Sequence, residues 1–535
     1  MSADLRLKSN SLVRNGSTDL LRYEALFLIA TGVYTFLLVF EFPVTPIFFS
    51  GDDLNAIYQG WRMVLGDSLY KDIFEFTLPG TPTYYWLAIS TFGTRFWILR
   101  ATVVLIAIVS AFLCLRISRE LIPTKLYFLP AFIYIFFGFK FYGLDGSHRM
   151  FSPIFVLIAL LLIIRQRSRW GICFAGIMCG LSSFFTQQRG VVAVALIAVY
   201  VLADQLRQGN GYVAGVKNAA TVLAGFMVSL FVFCFYFVQS AGIDQFVYSV
   251  LEFPIKYYGT VPVNNYWALY VNLPELTVTK PHILLLLVFF LLVLPITVVV
   301  AAVYLIRNRR TPWEEIRHPV LIALIGMGML FITLGPQAGR IFQVSIPLLI
   351  LSVWLFYKNR TISERHKLLL FRGSLIILTL FATALAYRQQ TLSFTKLSTP
   401  TGNLAIYPEE QYKRIIWVGQ ELVEGDAFFE TYPSTYFPLK LRNPSKYSQI
   451  LPYEYTQPNH IDEVVDSLRS DPPKLIVWDN SLNVPSTTRR PDDHTGPLAD
   501  FVKSGYSPVG SEFDVFGSPL QVWKRNDYHP LTQAP

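Results

Sequence analysis

Residues 49–93, FSGDDLNAIYQGWRMVLGDSLYKDIFEFTLPGTPTYYWLAISTFG, decide how this chain is read. The stretch follows a first long apolar run, opens with the adjacent carboxylates Asp52 and Asp53, and closes on an apolar segment, residues 84–92, bounded by Gly93 and Arg95. A bilayer crossing takes about 20 apolar residues, and this segment has less than half of that. If it crossed, every later loop would change sides. If it lies in the membrane surface, the polar stretch before it faces one compartment together with a defined set of later loops.

The rest of the chain makes a membrane the right frame. Of 535 residues 53% are hydrophobic and 15% aromatic, with a mean hydropathy of +0.42, which excludes an ordinary soluble globular class. The net charge of +9 would point to nucleic acid in a soluble protein. Here most basic residues sit in short segments between apolar runs, so topology accounts for them and no nucleic-acid partner is expected. Cys114, Cys173, Cys179 and Cys234 all fall inside apolar runs, without metal-ligand spacing, and read as small core hydrophobes.

Apolar runs at 23–42, 96–115, 126–139, 150–164, 170–185, 190–203, 219–238, 281–306, 319–334, 341–357 and 369–387 predict about eleven transmembrane helices. With residues 84–92 on the surface, Arg6, Lys8, Arg14, Arg22, Arg116, Arg119, Lys125 and most later loop cations share one side. The bias is roughly two to one and makes that side cytoplasmic. The expected architecture is a mainly α polytopic membrane protein in three parts. Residues 1–22 form a cytoplasmic tail, 23–388 a transmembrane domain with an outer loop at 46–95, and 389–535 a small extracytoplasmic α/β domain. An inner or plasma membrane fits this arrangement, with membrane lipids as its surroundings.

That sidedness collects the polar residues least expected near a membrane on the outer face: Asp52 and Asp53, Asp145 with His148 and Arg149, Gln187 and Gln188 with Arg189, Glu252 with Lys256, and Gln337 with Arg340. Polar groups at membrane depth are costly unless they line a wet cavity or bind something. In the C-terminal part, 427–431 and 474–478 read as strands. Residues 459–470 read as an amphipathic helix capped by Asn459, and the Pro-, Asp- and Ser-rich last residues as loop.

Two readings of Asp52 and Asp53 stand on spacing alone. An Asp before LNAIYQGWRMVLG is a natural helix N-cap, and a carboxylate pair at a membrane surface also suits acid–base catalysis. Arg340 and Arg189 are phosphate ligands or snorkelling arginines. Asp145, His148 and Arg149 form a polar cluster suited to sugar hydroxyls or phosphate, and Lys256, Tyr257 and Tyr258 a lid or an interfacial belt. Adjacent carboxylates without a His cluster are weak metal ligands, so no cofactor is expected and a divalent ion is left open.

The order of features also resembles a known family. A first helix is followed by Asp-Asp, by GDSLYKD at 66–72, and by Leu78, Pro79 and Gly80 leading into Tyr84, Tyr85, Trp86 and Leu87. Then come Phe92, Gly93 and Arg100. This is similar to the first outer loop of the GT-C glycosyltransferases, which include the protein O-mannosyltransferases and the aminoarabinose transferases of lipid A. Residues 435–439 and 473–477 extend the likeness more weakly. Many relatives carry Lys-Pro-Pro where this chain has Leu78, Pro79 and Gly80, which leaves the subfamily open. The resemblance implies transfer of a sugar from a polyprenyl-phosphate donor to a lipid, glycan or protein acceptor, with Asp52 as base and Asp53 orienting the acceptor. A flippase-like transporter and an oligosaccharide polymerase or ligase are the alternatives. A transporter should carry its polar residues near helix midplanes in paired halves, whereas these gather at one interface.

Overall fold

The structure is a computed structural model. It describes residues 3–49, 51–165, 168–257, 281–333, 337–407, 409–450, 456–479, 482, 495–515 and 518–528. Among these, seven helices are long and apolar enough to cross a membrane: Leu21–Val39, Trp97–Leu121, His148–Arg165, Gln187–Arg207, Tyr212–Ala241, Leu284–Arg307 and Glu364–Gln390. The shorter apolar helices Arg169–Phe185 and Ile346–Lys358, the helix Trp313–Phe331 and a helical run at 125–142 stand at the other four expected spans. The chain is a multi-pass, mainly α protein with a small α/β part at its C-terminal end.

Glycines set two of the helix contacts. A Cβ on Gly176 would lie 2.0 Å from the Val222 carbonyl oxygen, and one on Gly225 would lie 2.3 Å from that of Cys173. Small residues thus bring helices Arg169–Phe185 and Tyr212–Ala241 into backbone contact, the usual device where lipid supplies no hydrophobic drive between helices. The run at 125–142 contains a π-helical turn, Ile133–Gly138. At its end, Gly138 lets the Phe342 ring approach to where a Cβ would be 2.6 Å away, which seats the short helix Ala338–Gln343 against it.

Helix α1 (Ala3–Val39) leads through a hairpin of two-residue strands, β1 (Phe40–Glu41) and β2 (Thr45–Pro46), into α2 (Asp52–Val64) and α3 (Gly80–Phe92), which precede α4 (Trp97–Leu121). At 13 residues, α3 is about 20 Å long, short of the ~30 Å hydrocarbon core. It lies against α2 instead, with Tyr85 and Ile89 buried and Leu87 and Phe92 exposed.

In the C-terminal part, β3 (Thr395–Thr399) and β4 (Gly402–Ile406) form a hairpin. Four further strands make one sheet: β5 (Phe428–Glu430), β6 (Leu475–Asp479), β7 (Tyr506–Val515) and β8 (Ser518–Arg525), in the order β5-β6-β8-β7. Only the β5–β6 pair is parallel. Two expectations change here. The helix Pro458–Ser470 is capped by Gln457 in a reciprocal capping box with His460, not by Asn459, because Pro458 takes the first helical position. The chain end holds β7 and β8 rather than loop alone. Leu520 and Val522 are buried at period two, and a register shift between Val509 and Glu512 interrupts the strand pattern.

The 46–95 loop and the C-terminal part share one apolar core. Ile57, Tyr58 and Trp61 of α2 pack with Tyr436, Phe437, Val477 and Val522. The Tyr58 and Tyr436 rings stack at 4.6 Å, and the Tyr58 hydroxyl accepts from the Asn443 N–H at 2.9 Å. Helix α2 is thereby fixed between the membrane helices and the C-terminal sheet.

Candidate functional site

The N-cap of α2 is Gly51, in extended conformation and with no side-chain cap, so neither aspartate caps the helix. Both lie in the first turn, where the helix dipole favours a carboxylate. Consecutive helical positions point about 100° apart, and here the two side chains separate completely. Asp52 is 43% exposed and lines a cavity of about 410 Å³. Asp53 is 3% exposed and faces inward.

Asp53 Oδ2 accepts from Arg100 Nη1 at 3.0 Å, with the guanidinium fully buried. Arg100 also donates to the carbonyls of Ile47 at 2.7 Å and Phe49 at 3.1 Å, and its guanidinium stands 4.9 Å from the Phe49 ring. Burial pushes the Asp53 carboxyl up, and Arg100 together with the Gly146 N–H pulls it back. The Tyr85 hydroxyl donates to the Gly146 carbonyl at 2.8 Å. Asp53 and Tyr85 thus grip Gly146 from both ends of its backbone and position the loop that carries Asp145 and leads to His148 and Arg149.

Asp52 Oδ2 pairs with Arg149 Nη1 at 3.0 Å. The Arg149 charge holds its carboxyl below the usual carboxylate range, against the effect of burial, and His148 and Arg340 act in the same direction. Asp145 accepts from the Ser147 N–H at 3.0 Å and from its hydroxyl at 2.6 Å. Burial, with the Asp53 and Asp52 charges, raises its carboxyl to about 7.

Of the residues singled out in the sequence, Asp52, His148, Arg149, Gln187, Gln188 and Arg340 meet on the cavity. Arg189 does not line it: its guanidinium donates to the Arg149 carbonyl, to Ser152 Oγ at 2.9 Å and to Gln343 Oε1 at 3.1 Å. It ties together the helices behind Arg149 and Arg340. Lys256 is exposed and paired with Glu252 at 3.0 Å, while its neighbours Leu251, Pro254 and Ile255 line the cavity. Tyr258 lies outside the described residues. Among the described residues, no group of three His, Cys, Asp or Glu side chains converges as metal ligands.

Sequence reading missed Asn55, Gln59, Glu75 and Gln449, all of which line the cavity. Asn55 and Gln59 follow Asp52 by three and seven residues, so helical periodicity could have found them. Glu75 stands in an irregular stretch, where its Oε1 accepts from the Phe76 and Thr77 N–H groups. Gln449 arrives only through tertiary contact, next to Ser448, whose hydroxyl donates to Asn55 Oδ1 at 2.7 Å.

No family model matches the chain, and no curated protein matches it in sequence. Among solved structures it is similar to ArnT from Cupriavidus metallidurans bound to undecaprenyl phosphate, at 13% identity and a TM-score of 0.58 over 93% of this chain and 97% of that one. The apo form of ArnT aligns at 12% identity and 0.56, over 95% and 98%. The chain has the GT-C fold. In that frame the 46–95 loop, with α2 and α3, sits between the membrane helices and the C-terminal sheet, and the cavity lies at the start of α2. Identity this low speaks to the fold alone.

Proposed function

We propose that this chain is a membrane glycosyltransferase that moves a sugar from a polyprenyl-phosphate donor to an acceptor hydroxyl on the outer face of the membrane, with inversion at the anomeric carbon. One observation carries the reading: a carboxylate held ionised, Asp52, shares one cavity with Arg149 and Arg340. The apolar side of the same cavity, Val191, Val250, Leu251 and Ile255, suits the first isoprene units of a lipid carrier. The similar ArnT structure holds undecaprenyl phosphate, which supports the same head-group chemistry here.

In this scheme the acceptor oxygen attacks the anomeric carbon and forms the new C–O bond. The bond from that carbon to the phosphate oxygen breaks, and its electron pair leaves with the polyprenyl phosphate. The acceptor proton goes to Asp52. Phosphate is a good leaving group and needs no acid, only cations to meet its growing charge, which Arg149 and Arg340 supply. Donor phosphate draws Arg149 away from Asp52, relieving the charge that depresses its carboxyl and making it a stronger base. Asp53, sealed against Arg100 and off the cavity, does not meet the acceptor and instead positions the loop at Gly146. The scheme calls on no metal ion. The acceptor class is a lipid, glycan or protein hydroxyl, and the membrane is an inner or plasma membrane.

The test uses purified protein and a panel of undecaprenyl-phosphate sugars in the presence of chelator. Asp52→Asn is expected to abolish transfer, by about 10²-fold or more, while donor binding stays within a few-fold of wild type. Full transfer by that variant would remove Asp52 as the base.

A further inference from the structure

The cavity has a second polar wall that phosphate chemistry leaves unused. Gln59 and Thr81 line it, Gln59 from α2 and Thr81 from the first turn of α3, and they are 1% and 2% exposed. Gln59 Nε2 donates to Glu75 Oε2 at 2.8 Å, which fixes the orientation of the amide and leaves Oε1 as an acceptor with no donor. Thr81 Oγ1 also has no hydrogen-bond partner. Among the described residues, these are the two buried, unpartnered side-chain atoms that belong to cavity-lining residues. The neighbouring Glu75 is satisfied, with Oε1 accepting from the Phe76 and Thr77 N–H groups and from the Thr77 hydroxyl.

Buried polar atoms are normally paired, and leaving one unpaired is costly. Two such atoms in the wall of one cavity indicate a ligand that supplies the missing partners. The pair is neutral: an amide oxygen that accepts and a hydroxyl that both donates and accepts. That complements hydroxyl groups, each of which can do both, better than it complements an ion. The position fits as well. Gln59 follows Asp52 by seven residues, two helical turns or about 10 Å along the same face of α2. A ring attached to a phosphate at Arg149 and Arg340 shares one cavity with Gln59 and Thr81.

We propose that Gln59 Oε1 and Thr81 Oγ1 form the subsite that reads hydroxyl groups of the sugar carried by the donor. This rests on the polyprenyl-phosphate-sugar reading of the site. Both atoms lie just beneath the cavity surface, so engaging them takes a side-chain rotation of Thr81 and a small shift of Gln59.

The experiment compares the affinity of the full-length protein for bare undecaprenyl phosphate with that for undecaprenyl-phosphoryl hexoses and pentoses, in wild type, Thr81→Val and Gln59→Met. Wild type is expected to bind at least one sugar-bearing lipid more tightly than the bare lipid phosphate. That gain should fall about three- to tenfold in each variant, with affinity for the bare lipid unchanged. Thr81→Val keeps the side-chain shape and removes an unpaired group, so its melting temperature should equal or exceed that of wild type. A gain retained by both variants overturns the subsite. So does a parallel loss of affinity for the bare lipid, or a lowered melting temperature of Thr81→Val, since either marks a structural role. Wild type that binds undecaprenyl phosphate but gains nothing from any sugar overturns the subsite alone. Wild type that does not bind undecaprenyl phosphate overturns the donor reading and the subsite with it.

Discussion

Asp52 and Asp53 are chain neighbours in opposite surroundings, one on a cavity beside Arg149 and the other sealed against Arg100. Removing either member of the buried pair has unequal consequences. Arg100→Met leaves the Asp53 carboxylate buried without its guanidinium, a loss of about 3–5 kcal/mol. Asp53→Asn leaves Arg100 its two carbonyl acceptors and should cost less. Thermal unfolding in detergent should place Arg100→Met well below Asp53→Asn, and the reverse order would contradict the anchoring role. Asp145 gives a pH signature. Its carboxyl stands at about 7 in the folded chain and at about 4 unfolded, so the folded state binds more protons between those values. Stability therefore falls as pH rises from about 4 to about 7. Asp145→Asn removes that dependence. Its stability should exceed that of wild type at pH 7 by on the order of 1 kcal/mol or more, read as a higher melting temperature, and the difference should close below pH 4.

At the scale of elements, the contact of α2 with α3 sets where the cavity wall stands. A Cβ on Gly60 would lie 2.8 Å from both the Trp86 nitrogen and the Tyr85 Cβ, and 2.9 Å from the Tyr85 carbonyl carbon. Backbone has to move to admit it. Gly60→Ala should cost about 1–3 kcal/mol and lower transfer without touching a reacting group, seen as a reduced melting temperature together with reduced kcat. Unchanged values of both would show that α3 yields freely. Amphipathic α2 and the short apolar α3 were legible in the sequence because period and length mark them. The Gln457 cap and strands β7 and β8 were not. Pro458 displaces the cap by two residues from where Asn459 suggested it. In the chain end, Pro508, Gly510, Gly517 and Pro519 break the local strand signal, while β8 pairs with a distant strand, β6, in the register Leu475 with Lys524 to Asp479 with Leu520.

At the scale of the whole molecule, the core shared by Tyr58, Trp61, Tyr436 and Phe437 requires the outer loop and the C-terminal part to lie on the same side of the membrane. With the charge bias of the loops, that side should be outside the cytoplasm. A reporter active only outside the cytoplasm, joined after Asn403, should be active, and an inactive fusion would reverse the sidedness. The sequence by itself determined the multi-pass α architecture, the apolar segment too short to span a bilayer and several of the polar residues that meet on the cavity, because these follow from hydropathy, length and charge along the chain. The likeness of the Asp-Asp loop to a known family was visible there too. Only the tertiary structure separated Asp52 from Asp53, since one helical step turns a side chain from cavity to core and nothing local says which. It also moved Arg189 from the cavity to a role behind it, and brought in Glu75 and Gln449 from irregular segments. Those placements depend on which distant backbone groups and side chains converge, and chain order does not encode that convergence locally.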